Sequence, residues 1–248
     1  MIQVSNVSKS FDGVPVLKDI SARFEQGKTN LIIGQSGSGK TVLLKCIVGM
    51  LECDSGSILY DDLDLTRMNF SQRRVLRQKI GMLFQGSALF DSLSVEENII
   101  FPLNMFSTMN KEEKRERANF CLKRVDLQNV NHMFPSELSG GMKKRVAIAR
   151  AIANKPSFLF CDEPNSGLDP ITAIVIDNLI KEITKEFNIT TIINTHDMNS
   201  VMEIGENVAF IYKGQLWWEG SNQDILHSGN AYLDQFVYSS KLMHKLKK

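Results

Sequence analysis

Gly34-Gln35-Ser36-Gly37-Ser38-Gly39-Lys40-Thr41 fits the pattern G-x-x-x-x-G-K-[ST] at every fixed position. The pattern alone is only a glycine-rich turn, so its flanks decide the reading. Before it, Thr29-Asn30-Leu31-Ile32-Ile33 reads as a short buried strand. After it, Val42-Leu43-Leu44-Lys45-Cys46-Ile47-Val48 can open a helix. Strand, loop and helix in that order are the context a phosphate-binding loop requires. Glycines let backbone N–H groups turn inward around a β-phosphate, and the helix N-terminus adds positive potential. Gly34, Gln35, Ser36, Gly37, Ser38, Gly39, Lys40 and Thr41 are therefore the expected ATP contacts. Lys40 would reach the β- and γ-phosphates, and Thr41 would ligate Mg2+.

Phe158-Leu159-Phe160-Cys161 is an uninterrupted apolar run that ends in Asp162-Glu163. Such runs suit central strands of parallel sheets, which are buried on both faces. A carboxylate at the C-terminal end of such a strand sits at the crevice where open α/β sheets bind ligands. Asp162 is placed to hold Mg2+, and Glu163 is the candidate general base that polarises the attacking water. Phosphoryl transfer needs mainly positioning and charge neutralisation, so one well-placed carboxylate suffices.

Leu138-Ser139-Gly140-Gly141-Met142 is a glycine turn with no evident use for its own chain's nucleotide. With it, the chain resembles the nucleotide-binding subunit of ATP-binding cassette (ABC) transporters over roughly residues 2–225. The resemblance implies an α/β fold: a P-loop NTPase cassette with a RecA-like core, an antiparallel β layer and a helical sub-domain. It implies that Ser139, Gly140 and Gly141 of one subunit close over the γ-phosphate held by a second copy. Gln85, in Phe84-Gln85-Gly86, matches a glutamine that senses magnesium and faces the membrane partner. His196, in Thr195-His196-Asp197, matches a histidine on the γ-phosphate. Asp169, in Gly167-Leu168-Asp169-Pro170, matches an aspartate at the dimer seam. Phe11 lies where the family puts an aromatic ring against adenine. The catalytic set is then Glu163, His196 and Lys40, and the metal set Thr41, Gln85 and Asp162. The sequence departs from the family pattern at Met142, at Asn165-Ser166-Gly167 and at Phe11, and no departure removes a phosphate or metal ligand.

Three segments, residues 81–91, 135–142 and 167–172, are most similar to the ATPase of bacterial phospholipid transporters that work with MCE-domain proteins. This narrower resemblance implies phospholipid cargo, a permease and an MCE-domain partner. The alternatives are an amino-acid importer or a lipoprotein exporter. A non-transport ABC protein acting on ribosomes or DNA is the remaining reading. Such proteins fuse two cassettes or insert a long coiled coil, and neither pattern is found here.

The chain has 248 residues, with 29 Lys and Arg against 28 Asp and Glu. That near-neutral balance offers no broad basic face for nucleic acid. No apolar run approaches the ~18 residues of a spanning helix. Met1-Ile2-Gln3-Val4-Ser5-Asn6 reads as a strand and not as a signal peptide. The expected place is the cytoplasmic face of the inner membrane, held there by a permease. Cys46, Cys53, Cys121 and Cys161 form no C-x-x-C pair, which fits reduced thiols and argues against a metal site.

Along the chain, one ATPase domain is expected over residues 1–240. Its first thirty residues alternate apolar and polar as an antiparallel layer, continued by Asp54-Ser55-Gly56-Ser57-Ile58-Leu59-Tyr60. Residues 71–75 begin a polar helix. A helical sub-domain occupies about residues 87–155. In it, Ala118, Cys121, Leu122 and Val125 form one apolar stripe, and Asn110 with Glu113 resembles a capping box. Leu89, Phe90, Ile99, Phe101, Met105 and Phe106 are candidates for a groove that receives the permease. Lys143-Lys144-Arg145 reads as a solvated helix face. Val208-Ala209-Phe210-Ile211-Tyr212 and Leu216-Trp217-Trp218 form a hairpin, with the two tryptophans on opposite faces. Residues 241–248 are a basic tail.

Overall fold

A computed structural model describes residues 1–238, so the basic tail at 241–248 lies outside the described residues. Two sheets organise the chain. The first contains β1 (Ile2–Phe11), β2 (Val14–Phe24), β4 (Ser55–Tyr60) and β5 (Leu63–Asp64) in the order β2-β1-β4-β5, all antiparallel. Ile2, Val4, Val7, Ile20, Phe24, Ile58 and Tyr60 point inward from it and are buried. The second contains β3 (Thr29–Ile33), β6 (Ile80–Leu83), β7 (Phe158–Asp162), β8 (Thr190–Thr195), β9 (Asn207–Tyr212) and β10 (Gln215–Gly220). Its order is β10-β9-β3-β8-β7-β6. Every neighbouring pair is parallel except the β9–β10 hairpin.

The period-2 alternation of a strand assigns each central residue to one of two cores. Ile32, Phe158, Phe160 and Ile192 pack toward the antiparallel sheet and α1 (Lys40–Val48). Leu31, Ile33, Leu159, Cys161 and Ile193 pack on the opposite, helical side. β3, β7 and β8 are thus sandwiched on both faces, which is why nearly every residue in them is buried and β7 is an unbroken apolar run up to Asp162.

The remaining helices are α2 (Phe70–Gln78), α3 (Val95–Phe106), α4 (Lys111–Arg124), α5 (Gly140–Ile152), α6 (Pro170–Glu186), α7 (Met198–Ile204) and α8 (Ala231–Val237). The α4 stripe is buried at Ala118, Cys121, Leu122 and Val125. Its capping box closes as expected: Glu113 N–H donates to Asn110 Oδ1 at 3.0 Å, and Asn110 N–H to Glu113 Oε2 at 2.6 Å. Trp217 is exposed while Trp218 packs on the core, as alternation requires. Among the described residues, no helix is long and apolar enough to cross a membrane.

Two local expectations need correction. Ile99 is fully buried, because the inward face of α3 belongs to the core, and Leu89 packs against the same cluster. Phe90, Phe101 and Phe106, with Phe84, Met82 and Pro102, do line an apolar cleft of about 460 Å3. Lys144 is not solvated: it is 4% exposed, and its Nζ donates to the Gln85 carbonyl oxygen. Only the inward turn of α5 reaches that carbonyl, and a lysine is long enough to bridge the gap.

Candidate active site

Five parallel strands end at the same edge of the sheet. β3 runs into the glycine loop, β7 into Glu163, β8 into His196, β6 into Gln85 and β9 into Lys213. Segments more than 160 residues apart therefore meet in one crevice, at the carboxyl ends of the strands.

The loop's geometry depends on two glycines. Gly34 has φ 149°, and a Cβ there would sit 2.2 Å from the Ile211 carbonyl oxygen. Gly39 is the N-cap of α1 with φ 106°, and its Cβ would meet Leu17 Cδ2 at 2.9 Å. A backbone held that close and in that region admits no side chain. Lys40 Nζ folds back over the loop and donates to Gly34 O at 2.9 Å and Gln35 O at 3.1 Å. Burial lowers the Lys40 pKa, and Glu163 and Asp162 oppose that shift. Ser38 Oγ is buried without a hydrogen-bond partner. An orphaned hydroxyl inside a cradle of inward N–H groups fits a bound phosphate.

The acidic side is connected to the loop through Asn194, which the sequence reading did not single out. Asn194 Nδ2 donates to Asp162 Oδ1 at 2.5 Å and to Thr41 Oγ1 at 3.2 Å. One amide thus gathers the two oxygens expected to hold a divalent cation, and Asn194 Oδ1 is itself buried and unpartnered. Hard oxygen donors, one carboxylate and one hydroxyl, suit Mg2+ completed by substrate phosphates. Among the described residues, no group of three or more His, Cys, Asp or Glu side chains could hold a metal independently. The clue to Asn194 was present in the sequence: it is the amide that follows Ile192-Ile193, two places before His196. Gln85 is not joined to this pair. Its Nε2 donates to Ser166 Oγ at 3.3 Å instead.

Glu163 is 15% exposed, and its Oε1 lies 2.8 Å from His196 Nδ1. It has φ 49°, the left-handed region that a non-glycine residue seldom adopts. Its N–H donates to Asn194 O at 2.9 Å, which holds the turn. Backbone strain of this kind, of order 1–3 kcal/mol, persists where surrounding structure over-determines it. The two residues expected to act on the γ-phosphate are thereby brought into contact.

Ser139, Gly140, Gly141 and Asp169 stand apart from this cluster. Ser139 Oγ accepts from Met142 N–H at 3.2 Å and caps α5. Asp169 caps α6, accepting from Thr172 N–H at 3.0 Å and from Thr172 Oγ1 at 2.5 Å. These bonds hold the Asp169 carboxyl below its usual range. A Cβ on Gly141 would come within 2.8 Å of Thr172 Cγ2, so the two helix starts abut. Among the described residues, no hydrogen bond or ion pair joins residues 139–141 to residues 34–41. Phe11 is 41% exposed at the end of β1, with Lys9 Nζ 5.5 Å from its ring centre.

Comparison with known proteins agrees with this layout. The family described as "ABC transporter" matches residues 17–166. The methionine import ATP-binding protein MetN 2 of Bacillus cereus is 43% identical over 230 residues, covering 91% of this chain and 67% of that protein. MetN of Histophilus somni is 39% identical over 245 residues, covering 97% of this chain and 71% of its own. The dimeric bacterial ABC transporter cassette MJ0796 superposes with a TM-score of 0.82 at 33% identity, covering 90% of this chain and 99% of that one. The protein cbiO1 of Clostridium perfringens, part of an ABC transporter complex, gives 0.86 at 30% identity, covering 100% and 98%.

The relatives correct the expectation of phospholipid cargo, since they are described as methionine importers' ATP-binding proteins. The MCE-domain partner rested on that cargo and loses its support with it. The segments that suggested it are scaffold: β6 and its following turn, and the caps of α5 and α6. Met142, for example, lies against the core with its N–H held by Ser139, so its identity says nothing about cargo. With the glycine cradle, the acidic strand end and the family match in agreement, the chain belongs to the ABC transporter family and is an ATPase of it.

Proposed function

We propose that this chain is the ATP-hydrolysing subunit of an amino-acid importer, that it works as a pair of copies, and that it acts through an integral-membrane permease at the cytoplasmic face. The observation that carries the cargo class is its identity of about two residues in five with methionine import ATPases along nine-tenths or more of its length. The dimeric state of a related cassette supports the paired arrangement.

In this reading, residues 34–41 hold the triphosphate of ATP, and Phe11 stacks on adenine. Thr41 and Asp162, oriented by Asn194, hold Mg2+, with Gln85 sensing the site from β6. The cation supplies neutralisation of phosphate charge. Glu163 takes a proton from the attacking water, and His196, bonded to it, fixes the carboxylate's direction and contacts the γ-phosphate. Ser139, Gly140 and Gly141 approach from the second copy with Asp169 at the seam, and the N-terminus of α5 directs positive potential at the phosphate. The apolar cleft around Phe84, Phe90, Phe101 and Phe106 receives the permease.

The cargo is tested by deleting the chain and measuring ATP-dependent uptake of labelled amino acids, methionine first. Loss of uptake of one amino acid is expected. Unchanged uptake of every amino acid tested would overturn the cargo class and leave the ATPase assignment untouched.

A further inference from the structure

α6 buries Ala173, Ile176, Asp177, Leu179, Ile180, Ile183 and Thr184. An aspartate in that stripe is out of place, because a buried carboxylate costs stability unless its bonds compensate. Asp177 is 3% exposed. Its partners are Ser200 on α7 and Asn165, two residues beyond Glu163. Asn165 Nδ2 in turn donates to Ser200 Oγ at 3.0 Å. The three side chains, with the Asn165–Ser200 hydrogen bond as one side, are neighbours at the corners of a triangle. It joins α6, the loop that leaves Glu163, and the helix that begins two residues after His196.

The triangle is polar but incompletely satisfied, since Asp177 Oδ1 and Asn165 Oδ1 are both buried without partners. The titratable groups around it are Asp197 at the start of α7, Glu203 on α7 and the neutral thiol of Cys161 on β7. Lys181, one turn along α6, directs its Nζ to the Glu203 carbonyl oxygen. Burial, with Asp197 and Glu203 adding to it, pushes the Asp177 carboxyl up to about 6 against the bonds from Ser200 and Asn165.

We propose that Asp177 is a positioning residue for ATP hydrolysis: in its ionised form it ties Asn165 to Ser200 and so fixes Glu163 and His196 relative to one another. The inference rests on the roles given to Glu163 and His196 above. A neutral residue at 177 removes a buried charge and should stabilise the fold, whereas it weakens the acceptor that orders the loop. The two consequences run in opposite directions, which separates positioning from mere structural support.

The test compares the full-length wild type with Asp177→Asn, measuring ATPase kcat, KM and Tm from pH 5.5 to 8.5. At pH 7.5 the variant should have a higher Tm, a kcat about tenfold lower, as expected when reacting groups lose alignment, and a KM within about twofold. Wild-type kcat should fall as pH drops through about 6, and the variant should lack that inflection. A raised Tm with kcat and pH profile unchanged overturns the proposal, as does a fall in kcat that tracks a fall in Tm. Glu163→Gln is assayed alongside. If Glu163→Gln retains normal turnover, the role of Glu163 fails. If it is inactive while Asp177→Asn is normal, only the positioning role fails.

Discussion

Glu163 satisfies two demands that conflict in most residues. Its backbone occupies the left-handed region, and its largely buried carboxylate is held against the exposed imidazole of His196. Replacing the carboxylate by an amide keeps shape and hydrogen-bonding capacity but removes the proton acceptor. Glu163→Gln should therefore lower kcat by at least about 100-fold, the scale of general-base removal, while ATP affinity stays near wild type. Steady-state hydrolysis beside a nucleotide-binding isotherm checks this; turnover within a few-fold of normal would remove Glu163 from the mechanism. Asp177 illustrates the opposite balance at the same scale. Its folded value of about 6 lies well above that of a free carboxyl. The folded state thus binds a proton more tightly than the unfolded chain. The associated stability is present below about pH 4 and is lost as pH rises toward 6. By pH 7 the ionised carboxylate lowers stability by about 3 kcal/mol relative to a group that stays neutral.

At the scale of elements, α5 packs directly on β6 at a glycine. A Cβ on Gly81 would stand 2.4 Å from the Ala151 carbonyl oxygen and 3.2 Å from Pro156 Cγ. The first is backbone inside a helix and cannot yield. Gly81→Ala should therefore separate α5 from the sheet and destabilise the protein by about 1–3 kcal/mol, typical of overpacking. At this chain length that is a fall in Tm of about 2–6 °C. The same shift displaces Lys144 from Gln85 O, so ATPase activity should fall with it. An unchanged melting curve would show that the two elements are not held in register. The glycine loop, the acidic strand end and the α4 capping box were all readable because each is a local pattern of a few residues. Lys144, Asn194 and Asp177 were not, because their roles depend on which elements become neighbours. A lysine in a basic run reads as solvated until β6 is placed beneath it, and Asn194 acquires meaning only between β3 and β7. Cargo was not readable at all: residues 135–142 and 167–172 are caps and turns that the cassette itself requires.

For the whole molecule, the decisive question is where the glycine turn at residues 139–141 acts. Within one chain it caps α5 and abuts Thr172, and among the described residues no bond joins it to the phosphate loop. Each copy therefore carries two different half-sites, and a symmetric pair would complete two whole sites, as closed two-fold assemblies do. This makes a complementation experiment diagnostic. Lys40→Ala should abolish hydrolysis by weakening the hold on phosphate. Ser139→Arg should abolish it by blocking approach to the other copy's nucleotide, while ATP still binds. Co-assembled in one preparation, the two inactive variants form mixed pairs. One site in each pair then joins an intact Lys40 from the Ser139→Arg copy to an intact Ser139 from the Lys40→Ala copy. Activity well above the sum of the separate variants is expected, and it should scale with the fraction of mixed pairs. A mixture no more active than its components would mean that the phosphate loop and the glycine turn serve the same nucleotide from the same chain. The separation seen here would then have to close within a single subunit.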